Sequence, residues 1–339
     1  MPKISVIIVN YATKGLIQEC VDNLLKVYDN IEVLFVDNNS PDGSADLVKE
    51  LYTGNPHVTL IECPNNGQPY AYNKALDVAT GDYYLYLGTD AFPTKESLIE
   101  MMKYLDENPK VGVVSPHLYL RDGSPDVDAH RGFPTPWNSI THMLGLSKRF
   151  PHSKFFNGYF MSYLGLEGRH KIDTCITHCM MVKKMVQEKV GRWDEDYFIF
   201  GEDIDFCYKV AQAGYEVHYL GDIRVLHYKG ATVGRDTASD IKNIINTDFG
   251  SATFRGEKIV SKPAEAKNDT KKASAKPKMS NTARWMKLKI AKERTRAMRL
   301  FYKKHYYQKY PMILNLFVLL GIQIAEFAKV GKVIIKSYF

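Results

Sequence analysis

The chain has 339 residues, 45% of them hydrophobic, enough to bury one large core or two modest ones and too much for a peptide or a disordered tail. Its formal charge of +7 is unevenly divided: residues 1–261 hold 26 Lys and Arg against 34 Asp and Glu, residues 262–339 hold 19 against 4, so an acidic body carries a basic tail. Five scattered cysteines, with no Cys-x-x-Cys pair, speak against a disulfide frame and for a reducing compartment.

Ile4 to Val9 is a short, nearly continuous apolar run ending at Asn10, the pattern of a parallel strand buried on both faces. With no apolar signal segment ahead of it, the bulk of the chain is expected in the cytoplasm. An amphipathic stretch from Leu16 to Val27 predicts a helix, and Ile31 to Val36 a second strand that runs into the polar loop from Asp37 to Gly43. The pattern repeats with a helix near Ala45 to Tyr52, a strand over Val58 to Ile61, the loop Pro64 to Gln68, and a helix from Tyr70 to Ala79 capped by Gly81. Tyr83 to Leu87 is the next strand, ending at Gly88-Thr89-Asp90, and Val111 to Val114 follows after a further helix. This alternation predicts the α/β class: an open, mostly parallel twisted sheet with flanking helices and its ligands at the carboxyl ends of the strands. The polar clusters Asp37 to Asp42, Asn65 to Gln68 and Thr89-Asp90 all fall at such ends.

From Arg121 to Arg169 regular patterning fades into Gly, Pro, His and aromatic residues, a long surface excursion of the kind that holds the variable part of a site. Order resumes over Thr174 to Val182, in a helix near Lys184 to Val190, and in two short strands, Glu216 to Leu220 and Arg224 to His227. The group Cys175, His178 and Cys179 lacks a second ligand pair at zinc-site spacing and is not read as a metal site. Between these elements an aromatic loop reaches Gly201, and Glu202-Asp203-Ile204-Asp205 opens a helix that Gly214 stops, placing three carboxylates in one first turn. A helix N-terminus favours a charged carboxylate and burial beside Phe198, Phe200 and Phe206 opposes it, a balance that suits a general base.

The ordered set Val36-Asp37-Asn38-Asn39-Ser40, Asn65-Asn66-Gly67-Gln68, Thr89-Asp90, Gly201 to Phe206 and His227 to Gly230 resembles a family 2 glycosyltransferase of the GT-A fold, in the bacterial rhamnosyltransferase-like branch. The resemblance covers residues 3–235 and implies the following roles. Asp37 contacts the nucleotide base, with Val9 and Asn10 beside it, and Asn39, Asn66, Gly67 and Thr89 complete the donor site. Asp90 stands at the last Asp of the family's Asp-x-Asp motif and, with His227, holds Mg²⁺ or Mn²⁺ on the donor diphosphate. Asp203 is the catalytic base and Glu202 its neighbour facing the acceptor. The partners implied are a nucleotide-sugar donor, dTDP-rhamnose or a UDP-sugar, and a glycan or polyprenyl-linked acceptor, with inversion at the anomeric carbon. Two departures stand out: Gly88 replaces the first Asp of the motif, and Thr177-His178-Cys179 replaces a small Ser-Gly-Ala-like stretch. They are the support for a rival reading as a catalytically inactive module that binds nucleotide or glycan in an envelope-assembly complex. No Gly-x-Gly-x-x-Gly follows the first strand, which disfavours a dinucleotide enzyme.

Three segments are expected: a catalytic domain over 1–261, a Lys, Ala, Ser and Pro-rich flexible linker over 262–283, and a basic, aromatic and amphipathic helical tail over 284–339. Arg284 to Tyr310 carries ten Lys or Arg against one Glu, with aromatic residues interleaved. The apolar run Met312 to Ala325 is shorter than the roughly 20 residues that span a bilayer. The pattern is therefore that of an interfacial helix on an anionic membrane surface rather than a nucleic-acid binder, and it places the protein peripherally on the inner face of the cell membrane.

Overall fold

The computed structural model describes residues 1–228 and 281–338. Strand β1 (Ile4–Asn10), helix α1 (Lys14–Val27), β2 (Ile31–Asp37), α2 (Ser44–Tyr52), β3 (Val58–Glu62), α3 (Gln68–Leu76) and β4 (Tyr83–Leu87) form the alternating half. After β5 (Ala91–Phe92), α4 (Lys95–Glu107) and β6 (Val111–Tyr119) comes the excursion, with α5 (Pro136–Met143) and the single turn α6 (Leu146–Arg149). Then follow β7 (Arg169–Ile172), β8 (Cys179–Lys183), α7 (Lys184–Val190), α8 (Glu202–Gln212) and β9 (Glu216–His227).

The nine strands make one sheet in the order β3-β2-β1-β4-β8-β6-β9-β5, with β7 beside β9. β3, β2, β1 and β4 run parallel, as do β6 and β9, while β8 lies antiparallel between β4 and β6. Alternation along β1 divides the core: Ile4, Val6 and Ile8 pack under Leu16, Leu24, Leu98 and Met101, whereas Ile7 packs with Ala71, Tyr72, Phe206 and Val210 on the other face. Helices α1 and α4 thus cover one face and α3 and α8 the other. Pairing of Asn10 with Asp37, and of Ile8 with Leu87, brings the carboxyl ends of three strands to one edge.

Two expected boundaries change. Gly81 does not cap the helix, which ends at Leu76; it sits where the chain crosses β1, and a Cβ there would lie 2.6 Å from the Ser5 backbone nitrogen. The pair of strands expected at residues 216–227 is one strand of 12 residues, whose register on β6 jumps from Leu220 to Arg224, so Gly221 breaks the sequence pattern without ending the strand.

Of the expected linker, residues 262–280 lie outside the described residues, as do Lys229 and Gly230 of the last motif. Helix α9 (Asn281–His305) lies against the body. Its Ala297 and Phe301, with Tyr302 and Tyr306, pack on Tyr197 and Tyr208, and the buried aromatic side chains contribute roughly 1.5–3 kcal/mol each. Lys304 bonds Asp194 and Asp196 at 2.5 and 2.6 Å, and His305 Nε2 lies 2.6 Å from Asp205 Oδ1. Lys304 and His305, part of the basic stretch expected to face a membrane, are therefore paired with carboxylates of the acidic body. Helix α10 (Met312–Tyr338) is longer than the apolar run alone implied: Met312–Ile335 is long and apolar enough to cross a membrane, by length and composition. Its polar side faces α9, where Arg299 bonds Gln323 and Glu326 at 3.0 and 2.9 Å and Tyr302 donates to Asn315 at 2.6 Å. Leu316, Phe317, Leu320, Ile324 and Phe327 point outward, 57–70% exposed.

Candidate active site

At the carboxyl edge, Asn10 Nδ2 donates to Asp37 Oδ1 and to Ser40 Oγ, both at 2.9 Å, and the Ser40 N–H donates to Asp37 Oδ2 at 2.9 Å. Thr13 Oγ1 donates to Asn10 Oδ1 and lies 3.0 Å from Thr89 Oγ1. Asn10, Asp37 and Thr89, singled out separately in the sequence, are thus one buried network in which both Asp37 oxygens are satisfied. Val9 is half-buried beside it. An open cleft of about 490 Å³ is walled by Asp37, Asn39, Ser40, Asp46, Glu62 and Cys63. Asn39 takes a left-handed φ of 57°, a conformation that asparagine tolerates. Asn66 is exposed and is not among the walls. Gly67, at φ 108°, is where the loop touches the aromatic stretch before α8: a Cβ there would stand 2.7 Å from the Phe198 carbonyl oxygen, and Gln68 N–H donates to that oxygen at 2.8 Å.

Beyond β4 the chain turns Asp90 inward. Its carboxylate meets His227, from the end of β9, with Nε2 3.5 Å from Asp90 Oδ2, and His227 Nδ1 lies 2.9 Å from Asp126 Oδ2. A second ring joins them: His178 lies 4.6 Å from His227, centroid to centroid. One ligand atom from each of Asp90, His178 and His227 lies within 4.8 Å of the others. Both Asp90 oxygens, His178 Nδ1 and His227 Nε2 are buried without a hydrogen-bond partner. Burial pushes His178 down and would do the same to His227, but the hydrogen bond with Asp126 and the negative charges of Asp126 and Asp90, the latter 3.5 Å away, outweigh it and hold His227 up at about 9. Buried orphan acceptors around one point are what a cation-binding site looks like without its cation, and one carboxylate with two imidazoles is a competent donor set. The residues present fit a divalent metal.

The acidic motif starts α8 after two positive-φ residues, Phe200 at 69° and Gly201 at 85°; the former is a conformation that ordinary side chains adopt at a cost of about 1–3 kcal/mol. The three carboxylates part ways. Asp205 turns to the tail, held by His305 and by Lys209 at 2.6 Å each. Asp203 turns to the excursion, where Arg131 Nη2 meets its Oδ2 at 2.7 Å, while the Ile204 N–H holds Oδ1 at 2.8 Å. Arg131 is anchored by backbone bonds to Thr174 in both directions. Glu202 is buried beside them with Oε2 unpartnered, and burial together with the Asp203 charge pushes it up to about 8. The Asp203 charge also reaches His178, so the acidic turn and the Asp90 cluster belong to one electrostatic site.

His178, Asp126 and Arg131 are the functional candidates that sequence reasoning passed over. For His178 a signal was present: Gly88 and His178 are the two departures, and β8 pairs antiparallel with β4 so that they face each other, the Gly88 N–H donating to the His178 carbonyl at 3.1 Å.

A mostly parallel sheet with such a carboxyl edge is the architecture of the GT-A glycosyltransferases. The structure of GalNAc-T7 with UDP, GalNAc and Mn²⁺ superposes with a TM-score of 0.50 at 15% identity, over 67% of this chain, which spans 44% of that one. Residues 5–191 match the model of Glycosyl transferase family 2, and the chain belongs to that family. It is a glycosyltransferase. Curated relatives include the N-acetylglucosaminyl-diphospho-decaprenol L-rhamnosyltransferase of Mycobacterium tuberculosis, 25% identical over 62% of this chain and 71% of the relative. Rhamnosyltransferase WbbL of Escherichia coli is 25% identical over 66% of this chain and 82% of its own length.

Proposed function

We propose that the protein is an inverting, metal-dependent glycosyltransferase that moves rhamnose from a nucleoside diphosphate, with dTDP-rhamnose as the donor, to a lipid-linked or cell-envelope glycan at the inner face of the membrane. The observation that carries the reading is the buried Asp90 and His227 pair with open ligand positions, set between the Asp37 network and the acidic start of α8. Asp37, Asn39 and the cleft beside them hold the nucleotide end of the donor, and Asn10 and Thr89 fix Asp37 in place. Asp90 and His227 would hold a divalent cation, Mg²⁺ or Mn²⁺, whose chemistry when bound would be to neutralise charge on a departing diphosphate. Asp126 presents His227 by fixing its far nitrogen. Asp203 takes the proton of the acceptor hydroxyl, its direction set by Arg131 and by the Ile204 N–H. One base and one attack opposite the leaving group invert the anomeric carbon. Rhamnose and a polyprenyl-borne acceptor are supported by the names of the two rhamnosyltransferase relatives. The test is release of nucleoside diphosphate from a panel of nucleotide sugars by the purified chain: dTDP-rhamnose should be the preferred donor, and release from none, with or without acceptor, sinks the reading.

Membrane attachment is supported by the outward row of α10, which is exposed among the described residues and leaves the polar side on α9, the disposition of a helix lying in the interface. Replacing Leu316, Phe317, Leu320 and Ile324 together by Ser spares the contacts with α9 and should release the protein from anionic vesicles. Unchanged flotation of that variant rejects the interfacial face.

A further inference from the structure

We infer that His178 is the third protein ligand of the cation and occupies the space that Gly88 opens by lacking a side chain, so that an imidazole replaces a carboxylate in the site and tilts its preference from Mg²⁺ to Mn²⁺. The inference rests on the metal reading above and adds to it which group completes the site and which ion it selects.

The geometry is reciprocal. Gly88 has no Cβ; one placed there would stand 2.9 Å from His178 Cδ2 and 2.8 Å from Asp90 Oδ1, closer than real Cβ atoms approach. A side chain at 88 and the ring of His178 therefore exclude each other. The backbone locks the two positions opposite one another, because Leu87 pairs with Cys179 at the end of the β4 and β8 ladder. A histidine that merely filled space against His227 would need no ligand atom within 4.8 Å of those of both Asp90 and His227. His178 instead has Nδ1 buried without a partner, and leaving such an atom unmatched costs about 1–3 kcal/mol, a cost that a bound cation removes. The donor set is one carboxylate and two imidazoles. Mg²⁺ is a hard ion that keeps oxygen ligands in near-octahedral order, whereas imidazole nitrogen binds first-row transition ions better. Replacing an oxygen donor by nitrogen thus weakens Mg²⁺ relative to Mn²⁺.

The experiment uses the full chain and Mn²⁺ alone, with no sugar nucleotide. Binding is followed by the electron paramagnetic resonance of free Mn²⁺, and nitrogen ligation by the ¹⁴N modulation of the bound ion's spin echo. The wild type should show two coupled imidazole nitrogens and bind Mn²⁺ at least tenfold more tightly than Mg²⁺. His178→Ala should lose one nitrogen and about 10- to 100-fold in Mn²⁺ affinity, with an unchanged circular dichroism spectrum; His178→Gln controls for loss of bulk and should bind Mn²⁺ no better than His178→Ala. The double variant Gly88→Asp with His178→Ala should narrow the Mn²⁺ over Mg²⁺ preference by returning an oxygen ligand to the site. His178→Ala with wild-type affinity and unchanged ¹⁴N modulation overturns the assignment of His178, and a double variant as selective as the wild type overturns the exchange. A wild type that binds no Mn²⁺ overturns the metal reading itself and this inference with it, a result distinct from the other two.

Discussion

Two polar sites lie on the same edge of the sheet and are built in opposite ways. Around Asp37 every group closes on its neighbours: Asn10, Thr13, Ser40 and Thr89 form a chain, and both carboxylate oxygens are engaged. Around Asp90 the groups converge and stop short: four buried ligand atoms make no hydrogen bond, and two of them, Asp90 Oδ2 and His227 Nε2, meet only as an ion pair at 3.5 Å. The first arrangement gains its order from the protein alone and shapes a cleft. The second has one 3.5 Å ion pair among its atoms and otherwise leaves them unmatched, a cost that a bound ligand would offset. An edge with a finished half and an unfinished half has a division of labour: shape at one end, charge at the other.

The contrast can be broken at its open end first. Asp90→Ala, or excess chelator on the wild type, should lower transfer by about 10³-fold or more, since electrostatic stabilisation of a leaving diphosphate is worth several kcal/mol. Added Mn²⁺ should restore the chelated wild type and not the variant; full activity in chelator removes Asp90 and His227 from the metal role. Next comes Asp203→Asn, expected to reduce turnover by about 10²-fold while donor binding, read by calorimetry, stays near wild type. A larger loss in Glu202→Gln would move the base one residue earlier.

A stability pair sharpens the comparison. In metal-free protein, Asp37→Ala should cost about 1–3 kcal/mol because it strands Asn10 and Ser40. Asp90→Ala, which removes only the 3.5 Å ion pair with His227, should cost less by thermal unfolding and should abolish the rise in melting temperature caused by Mn²⁺. Equal losses from both substitutions would show that the two halves are not built differently.

The smallest effect concerns Glu202, whose carboxyl is raised in the folded protein from an ordinary 4.5 to about 8. Below pH 4.5 both the folded and the unfolded states hold the proton and nothing is lost. Between 4.5 and 8 the unfolded chain releases it while the folded chain keeps it, so stability falls as pH rises through that window and levels off above it. Glu202→Gln removes this slope. It should therefore be more stable relative to the wild type at pH 8 than at pH 5, by roughly 1 kcal/mol or more in paired melts. A difference that does not change with pH rules out the raised carboxyl.

How much of this was legible follows from distance along the chain. The strands β1 to β4 and their polar ends carry short-range periodicity, so Asn10, Asp37, Thr89 and Asp90 could be placed at one edge without coordinates. The acidic turn was legible for the same reason. Arg131 was not, because it lies 72 positions from Asp203 in a stretch whose rings and short turns follow no period. Asp126 reads as one more loop carboxylate until β9 brings His227 to it across 101 positions. His178 reads in the sequence as a poor zinc ligand, since the antiparallel placement of β8 that brings it to Asp90 leaves no trace in local pattern. Glu326 broke the apolar run of the tail in sequence, and only the position of Arg299 shows that this charge faces a neighbouring helix.

Strand β9 ends at His227, fastened by Asp126, and α9 begins at Asn281 and is fastened to Asp194, Asp196 and Asp205 of the same body. Both ends of the interval between them are therefore moored independently of the peptide that joins them. Residues 1–228 and 281–339 expressed from separate messages should find each other through the Tyr197, Tyr208 and Phe301 contact and elute as one particle.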